Sequence, residues 1–147
     1  MRFLTCALCF LLCLPAAAQD TLQSRIDTLS AQTDANQFEL GMLKTLRSVE
    51  KSLQVRYLYG IGDATTRFPI LRLPINQINP APVQADPDTL SGIMRSLVDD
   101  MENARETLNS APPAAFTLVL NDLWFDVDQD GLRDDQENLT EILAPIV

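Results

Sequence analysis

The chain has 147 residues, 20 acidic against 11 basic side chains, no histidine and three cysteines. Its formal net charge of −9 opposes association with nucleic acid or an anionic membrane surface, because both repel it at long range. The absence of histidine excludes a Ser-His-Asp triad, a histidine general base and histidine-ligated zinc.

Residues 1–18 read as a secretory signal peptide: Arg2 is the positive n-region, Phe3 to Leu14 the apolar run, and Pro15-Ala16-Ala17-Ala18 the small-residue cleavage region before Gln19. The apolar run is shorter than the roughly 20 residues a membrane-spanning helix needs, so it is expected to be cleaved and the protein to be periplasmic or secreted. Cys6, Cys9 and Cys13 all lie in this segment. A chain starting at Gln19 has no disulfide, thiol nucleophile or thiolate ligand. Taking 18 residues from 147 leaves 129, which suits a single domain over 19–147 with one modest core.

The mature chain is expected to be mainly α. Leu22, Ile26 and Leu29 fall at helical spacing, and Phe38, Met42, Leu46, Val49, Leu53 and Tyr57 form a second, longer series. The linker Thr33-Asp34-Ala35-Asn36 can cap this second helix, and Gly60 and Gly62 should end it after about Tyr59. Lys44, Arg47 and Lys51 fall on the face opposite the apolar stripe. That face reads as solvated, with a docking surface for an acidic partner or lipid headgroup as the alternative.

Residues 60–88 hold five prolines, Pro69, Pro74, Pro80, Pro82 and Pro87, with Ile and Leu between them. This predicts an irregular strap packed on the helices, not a flexible linker. Within it, Arg67-Phe68-Pro69-Ile70-Leu71-Arg72-Leu73-Pro74 could instead pair with a partner. A third helix is predicted from about Asp88, with Leu90, Ile93, Met94, Leu97, Met101, Ala104 and Leu108 as its stripe. Asn109-Ser110-Ala111-Pro112-Pro113 breaks it. Phe116-Thr117-Leu118-Val119-Leu120 is expected to be buried, its secondary structure left open by continuous hydrophobicity. Asn121-Asp122 offers a cap for a short helical turn through Leu123, Trp124 and Phe125.

Asp126-Val127-Asp128-Gln129-Asp130-Gly131-Leu132-Arg133-Asp134-Asp135-Gln136-Glu137 follows. Asp recurs at positions 1, 3 and 5 and Gly at position 6, and Glu stands at position 12, the spacing by which a calcium loop arranges oxygen ligands around a sharp turn. Six carboxylates against one arginine give these twelve residues a charge of −5, so the loop repels itself unless a cation is present. The motif resembles the EF-hand loop and, more closely, the loops of bacterial dockerins and thrombospondin type 3 repeats. That resemblance implies one Ca²⁺ held by the side chains of Asp126, Asp128, Asp130 and Glu137 and by the carbonyl of Leu132, with Asp134 acting directly or through a water. The chain departs from the EF-hand pattern in having a single loop, Arg133 at the usually apolar position 8, and Asp122 in the entering segment. Asp134 to Ile142 is predicted to be the exit helix, its early carboxylates lying at the positive end of the helix dipole. It leads into an apolar tail, Ile142 to Val147, expected to tuck into the core or to continue into further chain.

These features predict an exported calcium-binding protein with a structural or protein-interaction role and no catalysis. Its partners would be the calcium ion and a protein of the cell envelope. The alternative is an envelope interaction protein acting through its amphipathic helices and Pro-rich segment without metal. A carboxylate hydrolase would have to draw on Asp99, Asp100 and Glu102, whose helical setting shows no sign of a cleft.

Overall fold

A computed structural model describes residues 20–61 and 73–144. The leader-like residues 1–18, Gly62, the segment Arg67 to Arg72 and residues 145–147 lie outside the described residues. The protein is mainly helical: α1 spans Leu22–Ser30, α2 Gln37–Leu58, α3 Thr89–Ser110 and α4 Leu139–Leu143, with 3₁₀ turns at Leu120–Asp122 and Asp135–Glu137. Among the described residues no helix is long and apolar enough to cross a membrane.

Local chemistry sets the helix ends. Thr21 caps α1 by accepting from the Ser24 N–H at 3.1 Å, and Asn36 Oδ1 caps α2 by accepting from Phe38 and Glu39 N–H. At the other end of α2, Gly60 turns at φ 62° and the Ile61 N–H returns to the Arg56 carbonyl at 2.8 Å, a left-handed stop that glycine adopts without strain. Asp86, three residues ahead of Thr89, holds the start of α3: its Oδ1 accepts from the N–H of Asp88 and the N–H and hydroxyl of Thr89. These bonds keep its carboxyl below the usual aspartate range.

Helix α2 is the hub. One side buries Leu40, Leu43 and Leu53 with Leu22 and Ile26 of α1, Leu73 of the strap, and Leu123, Phe125, Val127, Leu139 and Ile142 of the C-terminal segment, forming the core. Helix α3 packs on α2 elsewhere. The two approach closely at Gly41, where an added Cβ would lie 2.6 Å from Leu108 Cγ. Of the stripe predicted for α3, Ala104 is buried, five members are half-buried and Leu90 is exposed.

The strap is irregular where described. It packs through Leu73 and Ile75 and hangs on α2: Asn79 donates to the carbonyls of Tyr57 and Leu58, and the Val83 N–H to Leu58. The basic face of α2 is neither simply solvated nor free. Lys44 donates to Asn103 and Thr107, Arg47 pairs with Glu50, and Lys51 pairs with Asp100. Phe116–Leu120 is not buried throughout. It forms no regular element before Leu120 opens a 3₁₀ turn, and Phe116 lies edge-on to Phe38 and Leu118 packs inward, while Thr117, Val119 and Leu120 face solvent.

Two expectations about the ends of the acidic loop need correction. The entering turn lies at Leu120–Asp122, so Leu123 to Phe125 are extended, and the exit helix is interrupted at Asn138. The cause is tertiary. Trp124 and Asn138 form an antiparallel bridge, with the Phe125 N–H donating to the Glu137 carbonyl at 2.9 Å and the Leu139 N–H to the Leu123 carbonyl at 3.2 Å. Those bonds draw Asn138 out of helical geometry, leaving a single 3₁₀ turn before α4.

Candidate metal centre

The bridge closes the base of the loop and brings residues 126 and 137 together. Inside, each turn of backbone is fixed by an aspartate ahead of it. Gly131 N–H donates to Asp126 Oδ1, Asp130 N–H to Asp128 Oδ1 at 3.1 Å, and Leu132 N–H to Asp130 Oδ1 at 2.7 Å. Gln129 and Gly131 take positive φ, 65° and 75°, so the chain curls around the three side chains. Asp126, Asp128 and Asp130 each offer a carboxylate oxygen, and these oxygens lie within 4.8 Å of one another. Calcium–oxygen bonds of 2.3–2.6 Å place oxygens on opposite sides of the ion about 5 Å apart, so the spacing fits such a cation. The three aspartates form a group that can hold a metal ion.

The other residues singled out in the motif are placed differently. Glu137 is 1% exposed, and its two oxygens accept from the Val127 N–H at 2.7 Å and the Asp134 N–H at 3.2 Å. It lies outside the group of three, though a carboxylate has about four acceptor positions and these N–H groups do not fill them all. Asp134 is also outside that group and is exposed, with Oδ2 accepting from Gln77 Nε2 of the strap at 3.3 Å. The Leu132 carbonyl accepts no hydrogen bond from a described residue, and its side chain is exposed. Arg133 at position 8 ties the loop base together, donating to Asn138 Oδ1 and to the Asn121 carbonyl.

Burial, with crowding behind it, raises two carboxyls of the loop. Burial raises Asp128 above the usual aspartate range, and the negative neighbours Asp130, Asp126 and Asp134 push in the same direction. Burial pushes Glu137 up to about 7, with the Asp128 carboxylate adding to the rise, against the pull of the Asp134, Val127 and Asp128 backbone N–H groups.

Sequence reasoning missed the residues that hold the loop from outside. Glu50 Oε1 accepts from the Asp126 N–H at 2.8 Å, and Gln54 Nε2, one turn along α2, donates to the Asp126 carbonyl at 2.6 Å. Both residues are buried, and Glu50 is 1% exposed. Burial raises the Glu50 carboxyl, partly offset by Arg47 at 2.7 Å. Their spacing of four residues on one helix face was the available signal, but it reads equally as a solvated polar face. Of the carboxylates considered for hydrolysis, Asp100 is paired with Lys51 and Glu102 with Arg105.

No protein-family model, curated protein or solved structure was found to match the chain.

Proposed function

We propose that the protein is an exported calcium-binding protein in which one Ca²⁺, held by the loop 126–137, fixes the C-terminal segment against the helices in a structural or interaction role. The observation that carries this reading is the convergence of the Asp126, Asp128 and Asp130 oxygens within 4.8 Å in a loop whose charge of −5 calls for a cation. The unclaimed Leu132 carbonyl and the remaining acceptor capacity of Glu137 add donors of the hard-oxygen type calcium prefers over magnesium's tight octahedron. Affinity of the order of 10⁻⁴ to 10⁻³ M, as in extracellular modules, suits an ion that stabilises more than it signals. Location outside the cytoplasm rests on the leader-like residues 1–18.

The sole tryptophan makes the test direct. Trp124 is 3% exposed, donates from Nε1 to the Asp20 carbonyl at 3.1 Å, and sits two residues before the first proposed ligand. A saturable, calcium-selective change in its fluorescence, absent with magnesium and lost in Asp126→Ala, is the expected result. No change in fluorescence together with no heat of binding would refute the calcium reading. A second reading, interaction through the strap and helices without metal, is favoured by the apolar side chains these elements leave exposed, Ile78 at 89% and Val98 at 61%.

A further inference from the structure

We propose that the cleft between α1, α2 and α3 binds a small oxyanion of the phosphate or sulfate class, with Lys44 as its principal ligand. The inference is independent of the metal reading and concerns a different part of the molecule. The cleft measures about 180 Å³, and its lining includes Lys44, Arg47 and Lys51 of α2, Gln23 of α1, and Asp100 and Asn103 of α3. Three cations thus share one small space in a chain whose net charge is −9.

Charge pairing within the set is incomplete. Glu50 pairs with Arg47 and Asp100 with Lys51, each at 2.7 Å. Lys44 meets only neutral oxygens, Asn103 Oδ1 at 3.2 Å and Thr107 Oγ1 at 3.0 Å. Three positive groups against two carboxylates leave the set at +1. Donors are also in surplus. An ammonium has three N–H groups and a guanidinium five. Lys44 uses two, and Arg47 uses one toward Gln23 Oε1 and one toward Glu50. The Asn103 amide nitrogen donates to no described residue, and Gln23 Oε1, a neutral acceptor in the lining, is already taken by Arg47. A cleft of net positive charge with donors in surplus complements an oxyanion, which accepts several charge-assisted bonds at once. Its size and recess between three helices suit a free anion better than a protein segment or a membrane surface.

The test is calorimetric titration of the protein with inorganic phosphate in metal-free buffer of low ionic strength, with sulfate as competitor and chloride as control. Single-site binding displaced by sulfate and not by equal chloride is expected. Lys44→Gln should weaken it at least tenfold, on the scale of one charge-assisted contact, while Lys44→Arg retains it. Asn103→Asp keeps every side chain in place but sets a carboxylate against Lys44, so it should weaken phosphate binding equally if Lys44→Gln proves unstable. The proposal is overturned by no heat at 10 mM phosphate, or by unchanged affinity in a folded Lys44→Gln or Asn103→Asp variant. Capture on phosphatidylglycerol vesicles without affinity for free phosphate also overturns it, assigning the surface to lipid instead.

Discussion

Glu137 links protons, metal and stability in one side chain, and the link has a definite sign. Its carboxyl is pushed up to about 7 in the folded, metal-free protein, against about 4.3 for an unperturbed glutamate. Because the folded value is the higher one, the folded state binds the proton more tightly. Its contribution is therefore complete below the unfolded value and is lost as pH rises through 7. At 1.36 kcal/mol per unit, metal-free stability should fall by about 3 kcal/mol between pH 4.5 and 7.5 from this group. Raised Glu50 and Asp128 act in the same direction; the lowered Asp86 acts in the other.

Urea unfolding in chelator at pH 5 and pH 7.5, for the wild type and Glu137→Gln, isolates the term. Glutamine cannot accept from both Val127 and Asp134 N–H, so the variant is weaker at low pH, and only the difference between its two pH values matters. That difference should be smaller than in wild type by about 2.5 kcal/mol, the share of the term that falls between pH 5 and 7.5. Calcium should restore stability at pH 7.5, by about 1.5 to 3 kcal/mol at 10 mM if its affinity is of the order proposed. Its affinity should weaken as pH drops below 7 and protons compete for the same carboxylate. Equal pH dependence in the two proteins, or wild-type stability that rises toward pH 7.5, would refute this assignment of the pH term to Glu137.

Two further outcomes follow from the packing. Glu50→Ala should cost about 3 kcal/mol in urea unfolding, because it breaks a buried ion pair and orphans the Asp126 N–H, and Gln54→Ala about 1 kcal/mol; both should also weaken the calcium response of Trp124, and an unchanged response would show that the loop stands without α2. Gly41→Ala and Gly92→Ala should differ in sign in thermal melts: the first drives a Cβ to 2.6 Å from Leu108 and loses about 1 to 3 kcal/mol, whereas the second enters open space and gains up to about 1 kcal/mol of helix propensity.

What was legible in the sequence had a short range. The 3.6-residue spacing of Leu22 and Ile26, the Asn36 cap and the Gly60 stop each act within a few residues, and α1, α2 and α3 stand where those signals put them. The Asp-x-Asp-x-Asp-Gly spacing likewise brings three carboxylates together without help from elsewhere. The exit helix was misread because its first turn has every local mark of a helix, acidic residues included, yet backbone pairing with Leu123 and Phe125 competes for the same groups. Residues Phe116 to Leu120 were misread for a related reason. Continuous hydrophobicity does not reveal that only Phe116 and Leu118 find a surface to pack on.

Glu50 and Gln54 contact a residue more than 70 positions away, and no periodicity in α2 could announce it. Their placement separates two tasks that one aspartate would otherwise have to perform together. Helix α2 grips the Asp126 peptide by its N–H and its carbonyl, satisfying buried groups that would be costly if left alone. The side chain is left to the loop, where Oδ1 accepts from Gly131. Phe125 and Val127 on either side are in the core, so the first ligand position is anchored by packing and hydrogen bonds that require no ion. From Asp128 to Gln136 the loop is half-buried or exposed, and its turns are held by hydrogen bonds to aspartates that repel one another. A cation would therefore act on that outer arc, drawing it toward a base already built into the fold, and its stabilisation would be local before it was global.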